Sequence, residues 1–270
     1  MQYLEKHSIY ISNTKNSLDF YINKLGMKLV NQFLEDEKEF YQLKFNLDTN
    51  EAILELIRDK NNTQIVYPKD DNRLTGYWKM AISIKDVDIA RQKLIEKGIE
   101  VTEAFQVPNV ANLCHFFDPD GYGLEFIQHE FEQNHKKQKE DSNYVLGNRA
   151  IFSLITYRIK DIEKSLNFYE KDLNMKLLSK MNLEKRGFDL YFLGFTKEKL
   201  PNEDVEDIEN RQWLWKRDFT MIELQYVFDL DENFKYETGI STGFKSLTVF
   251  SNEEKTLIDP DGYKIEVKSI

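Results

Sequence analysis

Cysteine is nearly absent: Cys114 is the single one in 270 residues. That excludes an intramolecular disulfide, a thiolate zinc finger and an iron–sulfur cluster, and Cys114 itself reads as a small buried hydrophobe. Glycine and proline are scarce, 11 and 5, which excludes collagen-like and low-complexity chains. The longest apolar-looking run, AIFSLITY from Ala150, falls far short of the ~18 residues a membrane span needs. The first ten residues, MQYLEKHSIY, have no basic segment followed by a greasy one, so no secretory signal is read there and a cytoplasmic location is expected. Histidine is sparse too: His7, His115, His129 and His135 are the four, all in the first half. A metal centre built from residues 148–270 would have to do without imidazole, the commonest transition-metal ligand. Positive charge is in deficit, and the net charge of −10 repels phosphate backbones and anionic lipids. Nucleic-acid and membrane-surface roles are disfavoured, and a small-molecule metabolite is the expected partner.

What is present is 41% hydrophobic residues and 13% aromatics, enough to fill two ordinary cores in a chain of this length. Self-similarity organises them. NSLDFYINKLGMKLV at 16–30 is echoed by KSLNFYEKDLNMKLL at 164–178, an offset of 148. ILELI (53–57) matches MIELQ (221–225), YWKMAISI (77–84) matches GFKSLTVF (243–250), and DPDGYGLEF (118–126) matches DPDGYKIEV (259–267). The chain is a tandem duplication whose loops have changed length.

Each repeat opens with an alternating strand and a short amphipathic helix, marked by Leu18, Tyr21 and Leu25 and by Leu166, Tyr169 and Leu173. Gly26 and Asn174 follow these helices, where a left-handed residue is expected. Strand-like runs come next at 27–34, 39–45 and 51–58, then at 175–182, 188–195 and 218–227. A second unit in repeat one has a strand at 78–84, a helix at 86–98 capped by Asp86, and strands near 100–106, 111–117 and 122–128. The expected fold class is therefore α+β, tandem β-α-β-β-β modules in two domains, 1–130 and 148–270, with 131–147 as an aperiodic charged linker. The last module is shortened: Lys79 to Asp118 spans 39 positions, but Lys245 to Asp259 spans 14, so about one helix and one strand are missing. Repeat two instead gains a segment at 196–219, read as a short helix plus a covering loop, with Trp213 and Trp215 as packing residues.

The S-L-x-F-Y-x-x-x-L-x-M-K-L motif, a glutamate in an L/I-E-L strand and the closing D-P-D-G-Y-x-x-E strand together resemble the vicinal oxygen chelate superfamily, which includes glyoxalases, bleomycin-resistance proteins and extradiol dioxygenases. Residues 151–228 are most similar to glyoxalase I. The resemblance implies paired modules curling into a cup, with four inward positions that hold a divalent metal in catalytic relatives. It does not by itself decide the reaction.

Carried onto this sequence, the opening-strand position is Lys6 in repeat one and Leu154 in repeat two. His7 would reach it only with a one-residue gap, and it shares parity with Ile9 and Ile11 on the expected core side. The second positions are Glu55 and Glu223, each a lone acid in an apolar strand, a costly placement unless the carboxylate is paired. The fourth are Glu125 and Glu266. At the third, where many relatives carry histidine, stand Lys79 and Lys245, whose ammonium groups donate and do not coordinate. Whether modules pair within a repeat or across repeats is left open, because every set of four then holds two glutamates, at least one lysine and no histidine. The expectation is that internal Glu–Lys pairs replace the metal; no cofactor is predicted, and zinc, nickel or iron are the ions the resemblance would otherwise supply.

By the same resemblance, Arg158 matches the arginine that holds a glutathione carboxylate, whereas Val227 stands where glyoxalase I has a glutathione-binding asparagine. His115 falls on a pocket-lining position facing Glu125. The expected function is a small-molecule-binding or divergent family member, with a glyoxalase I-type lyase or related isomerase as the alternative and activity itself undecided. A ferrous extradiol site, which needs two histidines and a carboxylate, is not supplied. A monomer contains every module pairing, so a homodimer is allowed but not required.

Overall fold

The computed structural model describes residues 2–61 and 76–269. Module one comprises β1 (Tyr3–Tyr10), α1 (Thr14–Leu18), β2 (Lys28–Glu35), β3 (Lys38–Lys44) and β4 (Ile53–Asp59). Module two comprises β5 (Tyr77–Ile84), α2 (Val87–Glu96), β6 (Phe105–Val107), β7 (Ala111–Phe117) and β8 (Gly123–Gln128). Module three comprises β9 (Ala150–Ile159), α3 (Ile162–Asn167), β10 (Lys176–Leu183), β11 (Phe188–Gly194), α4 (Ile208–Leu214) and β12 (Met221–Val227). Module four has strands alone, β13 (Phe244–Phe250), β14 (Lys255–Ile258) and β15 (Lys264–Lys268), and so lacks the helix and the strand that the shortened spacing removes.

The modules pair across the repeats. One sheet has seven strands in the order β14-β15-β13-β1-β4-β3-β2, and the other has eight in the order β10-β11-β12-β9-β5-β8-β7-β6. The seams are antiparallel, β1 with β13 and β5 with β9. Module one thus shares a sheet with module four, and module two with module three.

Within each repeat the two modules pack against each other, and the repeated motifs supply the fasteners. The Tyr21 hydroxyl, from the F-Y motif of module one, donates to Asp118 of the D-P-D-G turn in module two at 2.9 Å. Tyr169 does the same to Asp259 at 2.9 Å in repeat two. Each aspartate also accepts backbone N–H groups of its own turn, so the turn and the helix are locked by one buried carboxyl. His7 sits in this core, fully buried, with Nε2 2.9 Å from the Tyr77 hydroxyl and Phe244 stacked beside it. The strand-parity argument is met: Ile9 and Ile11 are buried with it, and Lys6 and Ser8 face the other way, toward Glu55.

Two local features extend the periodic reading. Both short helices widen into a π-helical turn, Asp19–Lys24 and Phe168–Asp172, in which Leu25 N reaches Phe20 O at 2.9 Å and Leu173 N reaches Phe168 O at 3.2 Å. The wider turn lets the adjacent Phe20 and Tyr21 both face the core, where they meet edge to face. Gly26 and Asn174 then take φ of 87° and 58°, the left-handed conformation that ends each segment.

Candidate functional site

The concave face of the eight-stranded sheet holds an open pocket of about 510 Å³ of empty space, counted out to solvent at its mouth. Its walls are apolar and aromatic, with Phe105, Phe188, Phe192 and Trp215 among them, and its floor carries Lys79, Glu125, His115 and Glu223. Alternation along the strands explains the floor. Thr156 stands beside Glu223 and Lys79 in the β9 register, and Leu154 beside Ala81, so Leu154, Thr156, Lys79 and Ala81 share the inward face. Repeat two's insert closes one side: α4 sets Trp215 into the wall, 1% exposed, with its indole N–H donating to Val110 O at 2.8 Å. Trp213 and Trp215 pack as expected, and Trp215 also shapes the cavity.

The floor is an ion-pair cluster. Lys79 Nζ lies 2.5 Å from Glu125 Oε2, both side chains nearly out of water. His115 Nε2 reaches the same oxygen at 2.6 Å. Burial alone would raise the Glu125 carboxyl, but the charge of Lys79 and the contacts with His115 hold it down at about 2. Glu223 has no such partner at bonding distance among the described residues. Among the described residues its carboxylate meets only the Thr156 hydroxyl, at 3.3 Å, and burial pushes it up to about 7, against the attraction of Lys79 and with the repulsion of Glu125. Two carboxyls on one floor are therefore driven in opposite directions by their surroundings, the arrangement that separates a permanent anion from a proton-exchanging acid.

Trp78 was not singled out by the sequence motifs, yet it organises both basic groups near the floor. The Lys79 ammonium lies 4.1 Å and the Arg158 guanidinium 4.7 Å from its ring centre. Arg158 is 1% exposed, donates from Nε to Gln225 at 2.9 Å, and is not among the residues lining the cavity. Thr156 was also missed; its position two residues beyond Leu154, on the same face, was the available signal.

In the seven-stranded sheet Glu55 is 1% exposed and saturated: Lys6 Nζ donates at 3.0 Å, Gln42 at 2.8 Å and Ser8 Oγ at 2.9 Å. Glu266 is paired instead with Lys264 at 3.1 Å and Lys268 at 3.8 Å. Burial would raise its carboxyl, yet Lys264, Lys245 and Lys268 hold it below the ordinary range. The strand register puts Ser246, not Lys245, in the place equivalent to Lys79, and Lys245 in the bulged place that Trp78 holds in the other seam. Ser246 faces Ser8 as Lys79 faces Thr156, and Lys245 lies 5.5 Å from the Phe40 ring centre. Burial lowers the Lys245 ammonium.

Among the described residues no group of three or more His, Cys, Asp or Glu side chains is placed to hold a metal ion. An ammonium group sits against Glu125 in one cup and another against Glu55 in the other, so one carboxylate in each cup is already paired with a cationic side chain.

The profile of the Glyoxalase/Bleomycin resistance protein/Dioxygenase superfamily matches residues 3–126. The lactoylglutathione lyase of Escherichia coli O157:H7 is 32% identical over 124 residues, which cover 44% of this chain and 86% of that protein. The chain belongs to this superfamily. Similarity to glyoxalase I of Saccharomyces cerevisiae extends over 95% of this chain and 89% of that one at 24% identity. The crystal structure of glyoxalase I from Zea mays shares the fold, with a TM-score of 0.72 over 99% of this chain and 92% of that one at 19% identity. The molecule is thus a glyoxalase-superfamily protein with a small-molecule pocket and Glu–Lys salt bridges where the metal site would be.

Proposed function

We propose that this chain is a metabolite-binding member of the glyoxalase superfamily whose cup works without a resident divalent ion. The observation that carries the reading is the Lys79 ammonium 2.5 Å from Glu125, inside a mostly apolar cavity. A fixed ammonium supplies the positive charge that balances the carboxylate floor, and the aromatic walls contribute most of the buried contact area. The ligand is a small, largely apolar molecule with one oxygen-bearing end, which Lys79 receives as a donor and Glu223 as the exchangeable acid. Glutathione recognition is not supported, because Arg158 is buried on Gln225 and Val227 replaces the expected amide.

A second reading has a specific observation behind it, the opposed shifts of Glu125 and Glu223. In an isomerase or lyase of glyoxalase I type, Glu223 would take the proton beside a carbonyl and Lys79 would donate to the developing enolate oxygen. Two measurements separate the readings. Protein purified without chelator is expected to carry less than stoichiometric zinc, nickel or iron, and stoichiometric metal bound through Glu125 or Glu223 would defeat the proposal. Turnover of the methylglyoxal–glutathione adduct, abolished in Glu223→Gln, would establish the lyase; binding of apolar carbonyl compounds without turnover supports the first reading. Cytoplasmic residence remains part of the proposal and is tested by fractionation.

A further inference from the structure

The long edge strand of the seven-stranded sheet carries a pattern that neither cup uses. Among the described residues β2 bonds to β3 alone, and all eight of its residues are exposed, including Leu29, Val30, Phe33 and Leu34, the last at 63%. Bare apolar edges invite pairing, and folded proteins cover, shorten or charge them. The corresponding strand of repeat two is covered. Lys180 N of β10 donates to Val205 O at 2.8 Å, and Arg211 donates to Lys180 O at 2.8 Å, so the insert occupies that edge. The other sheet ends, β14 and β6, are four and three residues long. Repeat one has no insert, because the β3–β4 connection is short.

The β2 sequence, KLVNQFLE, is self-complementary once its bulge is counted. Against β3, Lys28 pairs with Lys44 and Leu29 with Leu43, and then Asn31 pairs with Gln42, so Val30 is the extra residue and the faces beyond it shift by one. Lys28, Asn31, Phe33 and Glu35 therefore share the concave face, and Leu29, Gln32 and Leu34 share the other. A two-fold axis through Gln32 sets Gln32 against itself, Phe33 against Asn31, Leu34 against the Leu29–Val30 bulge, and Glu35 against Lys28. Each pair joins like faces, as antiparallel pairing demands, and each end closes on opposite charges. Without the bulge, Lys28 and Glu35 would project to opposite faces. Neither forms an ion pair with another described residue.

We propose that β2 pairs antiparallel with β2 of a second copy of this chain, merging two seven-stranded sheets into one continuous sheet. The pairing is independent of what the cups bind. Sedimentation velocity over about two decades of concentration tests it, with Lys28→Glu, Glu35→Lys and the double variant compared by circular dichroism to verify folding. Each single reversal sets like charges at both ends of the pair and is expected to weaken dimerisation by about tenfold; the double reversal restores it. Gln32→Cys is expected to give a disulfide-linked dimer on mild oxidation, the native Cys114 being buried. A monomer at every concentration, or a dimer indifferent to the reversals, overturns the proposal, and so does a Gln32→Cys variant that forms no cross-link.

Discussion

At the scale of single residues, the cup is governed by what an ammonium does beside a buried carboxylate. Lys79 and Glu125 balance each other out of water, with His115 as the carboxylate's second partner. Lys79→Met is expected to destabilise the fold by about 3 kcal/mol, because it removes the cation and leaves the buried anion to His115. Lys79→Met combined with Glu125→Leu is expected to recover most of that loss, as removing both charges also removes the desolvation cost. Urea unfolding of the two variants decides it, and equal destabilisation would mean that packing, not the ion pair, holds the floor. Glu223 was legible as a deliberate placement from its apolar strand. Its contrast with Glu125 was not, because that depends on which carboxylate Lys79 and His115 reach across the sheet.

At the scale of elements, the insert between β11 and β12 separates the two cups. Trp215 is held by Val110 O and packs edge to face on Phe192, with ring centres 5.4 Å apart. Trp215→Ala should cost about 3–5 kcal/mol and weaken ligand binding, whereas Trp213→Ala, at a half-buried position off the cavity, should cost clearly less. Thermal denaturation and ligand titration of both variants check the contrast. The insert was visible as extra length with tryptophans. Its second role, covering the β10 edge, was invisible, because a backbone bond such as Lys180 N to Val205 O leaves no side-chain pattern. The equivalent edge in repeat one is left bare, and the β2 pairing is argued from that difference.

At the scale of the whole molecule, buried titrating groups set how stability depends on pH. Burial raises Glu223, Asp118 and Asp259 to about 7 and Asp261 to about 6. For a raised carboxyl the stabilisation is complete below its unfolded value and is lost as pH climbs through the folded one. Burial lowers His7 to about 3 and His129 to about 4, which acts oppositely, withdrawing stability as pH falls below the ordinary histidine value. Four carboxyls outweigh two histidines between the two ranges, so the unfolding midpoint is expected to be higher near about pH 5.5 than near about pH 8. Glu125, held at about 2 by Lys79 and His115, keeps its contribution until pH drops below the ordinary carboxylate range. Thermal melts across that span test the sign, and a midpoint that rises from pH 5.5 to 8 would contradict it.

The amino-acid sequence by itself determined the modules, their order and the shortened fourth one, because helix and strand periods and the repeated F-Y and D-P-D-G motifs are local. It also determined that Glu55, Glu125, Glu223 and Lys79 alternate onto one face of their strands, since strand parity needs only one chain segment. Pairing across the repeats was decided by tertiary structure alone, because the same motifs satisfy either arrangement until the Tyr21–Asp118 and Tyr169–Asp259 bonds join the modules of each repeat. So was the displacement of Lys245 from its apparent match with Lys79. The register sets Ser246 opposite Ser8, one residue beyond the ungapped match, and an offset of one residue along a strand puts the side chain on the opposite face.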